Sequence, residues 1–136
     1  MGKVIEIIQL IFVAIGGFVG WFIGGVDGFM YALISFVIID YVTGLMVSII
    51  SKKVSSEVGF KGIFKKVMIF LLIGIAHMID IYVITNGSAI RTAVIFFYLS
   101  NEGISILENT AKIGLPIPKS LRDILEQLSK EDEDRG

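Results

Sequence analysis

The sequence predicts an all-α integral membrane protein with about four transmembrane helices and a short amphipathic helix at its C-terminal end. Of its 136 residues, 54% are apolar and only 18% are charged, whereas a soluble domain is about one quarter charged. The charged residues are also unevenly distributed along the chain, since none lies between Ile7 and Val26. A helix over those twenty residues would be about 30 Å long, the thickness of the hydrocarbon core of a bilayer.

The first apolar segment, about residues 4–26, is predicted to be a retained span. Its apolar stretch is too long for a signal peptide, and Glu6 stands where a signal peptide carries positive charge. Its glycines Gly16, Gly20 and Gly24 follow the four-residue spacing that lets membrane helices approach closely. This pattern favours association between helices, and therefore an oligomer.

The second segment, about residues 29–51, contains one charged residue, Asp40. The turn sequence GVDGF at residues 25–29 predicts that the first two segments form a helical hairpin. A charge at mid-bilayer costs about 3 kcal/mol on insertion scales, so Asp40 is expected to be neutralised, paired or hydrated. Thr43 and Gly44 share its helix face.

A basic loop is predicted over residues 52–66, because this stretch carries one glutamate against five lysines: Lys52, Lys53, Lys61, Lys65 and Lys66. A short lysine-rich loop stays on the cytoplasmic side of a membrane. If four segments span, both chain termini are then cytoplasmic too.

The third segment, about residues 66–86, carries His77 and Asp80, whose spacing lets them contact each other on one helix face. The fourth, about residues 89–110, is amphipathic. Its polar side chains fall on one stripe, made of Arg91, Tyr98, Glu102, Ser105 and Asn109. If this helix spans, the stripe must face other helices or water. The alternative is three spans and an interfacial fourth helix.

The polar groups inside these segments allow two interpretations: hydrogen bonding that holds helices together, or a hydrated interior or proton path. One histidine and scattered carboxylates do not have the spacing of a metal site. The chain has no cysteine, no phosphate-binding loop and no hydrolase motif. The sequence therefore predicts no enzyme, no cofactor and no metal, and the net charge of −1 gives no indication of nucleic acid.

Residues 1–114 are thus predicted to form a transmembrane domain, followed over residues 115–136 by a cytoplasmic amphipathic helix and a charged tail. Pro116 and Pro118 end the preceding helix, and apolar residues then recur at helical spacing: Leu121, Ile124, Leu125 and Leu128. This helix is expected to dock on the membrane or on a neighbouring subunit, or to serve as a solubilising tail. The last seven residues are expected to be too polar to fold.

Two blocks of the chain resemble one protein family. Within residues 40–80 the matching positions are Asp40, Tyr41, Thr43, Gly44, Ser56, Gly59, Gly62, Lys65, Lys66, Ala76, His77 and Asp80. Within residues 101–121 they are Asn101, Glu102, Ser105, Glu108, Asn109, Gly114, Pro116 and Pro118. The chain resembles the phage lysis and toxin-secretion holins of Gram-positive bacteria and their phages.

The resemblance implies a small, non-enzymatic protein that accumulates in the bacterial cytoplasmic membrane and assembles into lesions. An endolysin or a large toxin leaves the cell through them, without needing to bind the holin directly. The implied partners are membrane lipid and other copies of the chain. Two other classes stay open: a small proton-coupled transporter or ion channel with Asp40, His77 and Glu102 as relay, and an accessory subunit of a larger membrane complex.

Overall fold

The computed structural model describes the backbone of residues 1–135 and the side chains of residues 1–127 and Lys130. Its helices are α1 (Gly2–Phe22), α2 (Gly28–Ile50), α3 (Ser56–Met78), which continues as a π-helical segment (Ile79–Ile84), α4 (Ala89–Ile113) and α5 (Lys119–Arg135). Helices α1 to α4 are long and apolar enough to cross a membrane. The structure therefore confirms the all-α membrane class.

The core lies between α2, α3 and α4. On α2 the buried side chains Met30, Leu33 and Val37 follow the spacing of one helix face. They pack against buried isoleucines of α3 and α4, namely Ile69, Ile73 and Ile95. Asp40 is buried on the same face of α2, one turn beyond Val37. The carboxylate that interrupts the apolar sequence thus points into the bundle.

The predicted basic loop over residues 52–66 is wrong in its extent. Helix α3 begins at Ser56, and the Ser55 side chain caps it by accepting a hydrogen bond from the N–H of Val58 at 3.2 Å. Lys52 and Lys53 lie in the α2–α3 connection, whereas Lys61, Lys65 and Lys66 lie on α3. Lysine is a good helix former, so a run of lysines does not by itself end a helix.

The predicted hairpin of the first two segments is also wrong, because the backbone of α1 approaches that of α3 and not that of α2. The Phe22 ring fills the space beside Gly74 of α3, where a Cβ atom would overlap it. No residue of α1 itself is buried. Helix α1 packs on α3 because the buried face of α2 is already covered by α4.

The glycine pattern of the first segment is interrupted for a related reason. Gly24 lies beyond the end of α1 with φ +84°, so it does not continue the face of Gly16 and Gly20. A Cβ atom at Gly24 would lie 2.7 Å from both His77 Nδ1 and Arg91 Nε. Nothing in the described chain lies within 4 Å of a Cβ atom built at Gly16 or Gly20. These two glycines therefore face open space.

Helix α5 packs on α4 of the same chain. Its Leu125 is buried, and a Cβ atom at Gly103 of α4 would lie 2.8 Å from Leu125 Cδ2. Helix α5 continues to Arg135, so the prediction that the last seven residues do not fold is wrong for residues 130–135. Gly136 and the side chain of Leu128 lie outside the described residues.

Candidate functional site: two charged clusters between the helices

Charged side chains gather in two places in the bundle. The central cluster lies between α2, α3 and α4 and consists of Asp40, Thr43, Lys66, Glu102 and Asn109. The end cluster lies where α1 leads into α2 and consists of Asp27, His77, Asp80 and Arg91. Each cluster contains a cation that is held by other parts of the chain.

Lys66 is the centre of the central cluster. Its ammonium group donates hydrogen bonds to both carboxylate oxygens of Glu102, at 2.9 and 2.7 Å, and to the carboxylate of Asp40. The side chains of Asp40 and Glu102 are each only 8% exposed. One cation on α3 is thus shared by an anion on α2 and an anion on α4.

This ion-paired group lies well inside the apolar part of the bundle. Asp40 precedes the end of α2 by ten residues, Lys66 follows the start of α3 by ten, and Glu102 precedes the end of α4 by eleven. At 1.5 Å per residue the group is about 15 Å from the helix ends at the α2–α3 connection. Charges at such a depth are costly unless they are paired, which explains why the three meet.

Asn109 completes the hydrogen bonding of Asp40. Its amide donates to Asp40 Oδ1 at 3.1 Å and to the hydroxyl of Thr43 at 3.0 Å. Gly44 and Ser105 line a crevice of about 230 Å³ beside these groups. The crevice also touches Ser48, Val58 and Gly59, residues near the α2–α3 connection. Water from that end of the bundle can therefore approach the Asp40 carboxylate.

The end cluster is built around Arg91, which is 5% exposed. Its guanidinium donates hydrogen bonds to the carbonyls of Ile23 at 2.6 Å and Gly25 at 2.8 Å, and to Asp27 Oδ2 at 3.0 Å. Arginine suits this position because its donors point in several fixed directions. Arg91 thereby ties the α1–α2 turn to the first turn of α4.

Asp27 itself begins α2, because its side chain accepts a hydrogen bond from the N–H of Met30 at 2.9 Å. That hydrogen bond, with the neighbouring Arg91 guanidinium, holds the pKa of Asp27 below its usual value. The Asp27 side chain is 50% exposed. The end cluster is therefore more open to solvent than the central cluster.

The hydrogen bonds and ion pairs of the described residues include none between His77 and Asp80, although their spacing allows contact. Asp80 accepts hydrogen bonds from the N–H groups of Ile90 at 3.1 Å and Arg91 at 2.8 Å, while His77 faces Gly24. The first N–H groups of a helix lack partners within it and carry partial positive charge. A carboxylate from the π-helical segment satisfies two of them, so Asp80 caps α4 rather than pairing with His77.

The predicted polar residues therefore divide between the two clusters. Asp40, Thr43, Gly44, Glu102, Ser105 and Asn109 lie at the central cluster, and His77, Asp80 and Arg91 lie at the other. Tyr98 lines a groove between α3 and α4 that Lys66 and Glu102 also touch. The central position of Lys66 was missed, because it was assigned to the basic loop.

One signal in the sequence could have located Lys66. It precedes His77 by eleven residues and follows Gly62 by four, spacings that put all three on one helix face. Gly62 and Gly59 lie against the Tyr41 ring, and the Tyr41 hydroxyl donates a hydrogen bond to the Gly59 carbonyl at 3.3 Å. A helix extended back to these glycines would have turned Lys66 toward α2.

Comparison with known proteins identifies relatives in Listeria, Clostridium and Bacillus. The uncharacterized protein Lmo0128 of Listeria monocytogenes is 42% identical over 88% of this chain and 87% of its own length. An uncharacterized 14.9 kDa protein in the nagH 3′ region of Clostridium perfringens is 38% identical over 95% and 98%. The uncharacterized protein YqxH of Bacillus subtilis is 36% identical over 81% and 77%. No solved structure matches the chain significantly.

The family assignment rests on a match over residues 17–130, which include both charged clusters and the packed part of α5. It agrees with the resemblance carried by residues 40–80 and 101–121, and with a fold that has four helices able to cross a membrane. The chain is a multi-pass membrane protein that belongs to the bacteriophage holin family.

Proposed function

We propose that the protein is a holin: copies of it associate in the bacterial cytoplasmic membrane and form lesions that release an endolysin or a large toxin. The observation that carries the proposal is the contrast between α1 and the rest of the bundle. Helix α1 is apolar and has no buried residue. The buried charges of α2 to α4, in contrast, are paired inside the chain.

This contrast suits a protein that first accumulates and then assembles. A single copy can remain in lipid because Lys66 pairs with both Asp40 and Glu102 within it, which leaves at most one net negative charge in the cluster. Its open α1 face, with Gly16 and Gly20, is available to a second copy. When enough copies associate, the ion pair between Lys66 of α3 and Glu102 of α4 can separate and both groups can bind water instead. The central cluster then lines the lesion.

The proposed orientation follows the lysines. Lys52 and Lys53 lie in the short α2–α3 connection, and Lys61 lies in the second turn of α3. Positive charge at one end of a bundle favours the cytoplasmic side. The N-terminus and α5 would then be cytoplasmic as well, since four spans return the chain to the same side.

A proton relay through Asp40, His77 and Glu102 is less well supported. His77 lies eleven residues from Lys66 along α3, about 16 Å, and the buried Ile69 and Ile73 lie between them. The central and end clusters are thus separated by apolar core. This separation favours a lesion formed between copies over a conducting path within one copy.

The deciding experiment is inducible expression in a bacterium that also makes a cytoplasmic endolysin, with membrane potential and released cytoplasmic enzyme recorded together. Abrupt depolarisation accompanied by enzyme release, after a delay in which the protein accumulates, is the expected result. Depolarisation without release would replace the proposal with an ion channel or transporter. Neither event would replace it with an accessory subunit.

A matched pair of variants tests the role of α1 in the same assay. In Gly16→Leu/Gly20→Leu the new Cβ atoms meet nothing within 4 Å in the single copy, so the bundle should fold normally. They should separate helices that pack through these glycines, and lysis should be delayed or lost. Gly17→Leu, also in open space on α1, is the control and should lyse on time. Equal lysis times in both variants would show that α1 does not contribute to the assembly through these glycines.

A further inference from the structure

Two lysines on α3 have no partner among the side chains that the structure describes. Lys61 and Lys65 are exposed and one helical turn apart. Neither side chain makes a hydrogen bond or an ion pair within the part of the chain whose side chains are described. Their neighbour Lys66, in contrast, is bound by two carboxylates. Two uncompensated positive charges therefore remain on the outer side of α3.

These lysines line a groove between α3 and α4 with a volume of about 490 Å³. Polar groups of Tyr98 and Asn101 face the same groove, and Met68 and Ile69 form part of its apolar surface. Glu102 also lines it, but its carboxylate is already bonded to Lys66. The groove therefore combines unpaired cations, uncharged hydrogen-bonding groups and an apolar wall.

The remaining nearby acid is Glu57, one turn before Lys61. It lies with Phe60, Lys61 and Phe64 along an adjoining surface, without forming an ion pair with Lys61. Even if Glu57 offsets one charge, the lysine pair stays net positive. Phe60 and Phe64 are exposed beside it, as expected of apolar side chains that face lipid.

The Lys61 end of the groove lies nearer to the membrane surface than the central cluster does. Helix α3 with its π-helical continuation has 29 residues, about 43 Å at 1.5 Å per residue. The hydrocarbon core is about 30 Å thick, so the span extends beyond it. Lys61 and Lys65 lie five and nine residues from the start of α3, within reach of the interface through their flexible stems.

We propose that this groove binds the headgroup of an anionic phospholipid, with the phosphate between the Lys61 and Lys65 ammonium groups and an acyl chain along Met68 and Ile69. Basic pockets between transmembrane helices bind such headgroups. The apolar wall favours a lipid over a soluble phosphate. The bound lipid would bridge α3 and α4 beside the Lys66–Glu102 pair. This inference is independent of whether the protein forms lesions.

The test uses the full chain in phosphatidylcholine nanodiscs that contain a minor fraction of phosphatidylglycerol, with retained lipid measured by native mass spectrometry. The wild type should retain phosphatidylglycerol selectively. Lys61→Gln/Lys65→Gln should lower this retention roughly 10- to 30-fold, because each lysine would lose a hydrogen bond to the phosphate worth about 1 kcal/mol. Lys52→Gln/Lys53→Gln removes the same charge from the α2–α3 connection and should leave retention nearly unchanged.

Equal losses in the two double variants would overturn the proposal, because they would indicate general attraction to an anionic surface. Unchanged retention in Lys61→Gln/Lys65→Gln would overturn it as well. Asn101→Trp should obstruct the groove without a change of charge and also lower retention. Circular dichroism of each variant checks that the helices are intact. Displacement of the lipid by excess glycerol phosphate would instead identify a site for soluble phosphates.

Discussion

The two charged clusters hold their cations in different ways. Arg91 in the end cluster is bound by two main-chain carbonyls and by the half-exposed Asp27. Lys66 in the central cluster is bound by two buried carboxylates from neighbouring helices. The end cluster therefore fixes the path of the backbone. The central cluster depends on side-chain pairing alone, and it can be rearranged without unfolding a helix.

The largest effect is expected from removing the central cation. Lys66→Met leaves Asp40 and Glu102 buried without a counter-charge, and breaking a buried ion pair costs about 3–5 kcal/mol. Unfolding of the purified protein in mixed micelles should show a loss of that order. Lys65→Met, at the exposed neighbouring position, is the control and should cost less than about 0.5 kcal/mol. Similar losses in both variants would contradict the role of the central cluster.

A compensated variant sharpens the same comparison. Replacing a whole buried charge group by apolar side chains is often neutral or stabilising. Asp40→Leu/Lys66→Met/Glu102→Leu should therefore recover most of the stability lost in Lys66→Met. Because its polar face is gone, it should also fail to release endolysin if the proposed function holds. Normal lysis by this variant would mean that the central cluster does not line the lesion.

A smaller effect is expected in the end cluster. Arg91→Lys keeps the charge, but a single ammonium group cannot replace the guanidinium's three hydrogen bonds, so a loss of about 1–2 kcal/mol is expected. Hydrogen exchange of the amides at residues 23–27 should become faster. Arg122→Lys on the exposed surface of α5 is the control. Unchanged exchange at the turn would show that Arg91 does not fix it.

The smallest effect is a pH dependence at Asp27. Its pKa is lower in the folded protein, so its ionised form stabilises the fold above the unfolded-state pKa of about 3.9. That contribution is lost as the pH falls through the lower, folded-state pKa. The unfolding midpoint of the wild type should therefore decrease with acid more steeply than that of Asp27→Asn. Because Asp27 is half exposed, the difference should be slight.

Sequence patterns predicted the positions of the helices better than the contacts between their side chains. The observed α2 and α4 begin and end within three residues of the predicted segments. The polar stripe of α4 was identified by its period, and Arg91 and Glu102 from it are buried. In contrast, Lys66 was assigned to a loop because lysine-rich stretches often form loops. The i, i+3 spacing of His77 and Asp80 did not indicate that Asp80 binds the first N–H groups of α4.

The sequence by itself determined the class of the protein. In lipid each backbone polar group must be satisfied within its own segment, so four long apolar stretches are sufficient to predict four helices. The tertiary structure decided the pairing. Lys66 is 26 residues from Asp40 and 36 from Glu102. Whether such residues meet depends on the rotation and register of three helices, which result from packing between them rather than from any local pattern.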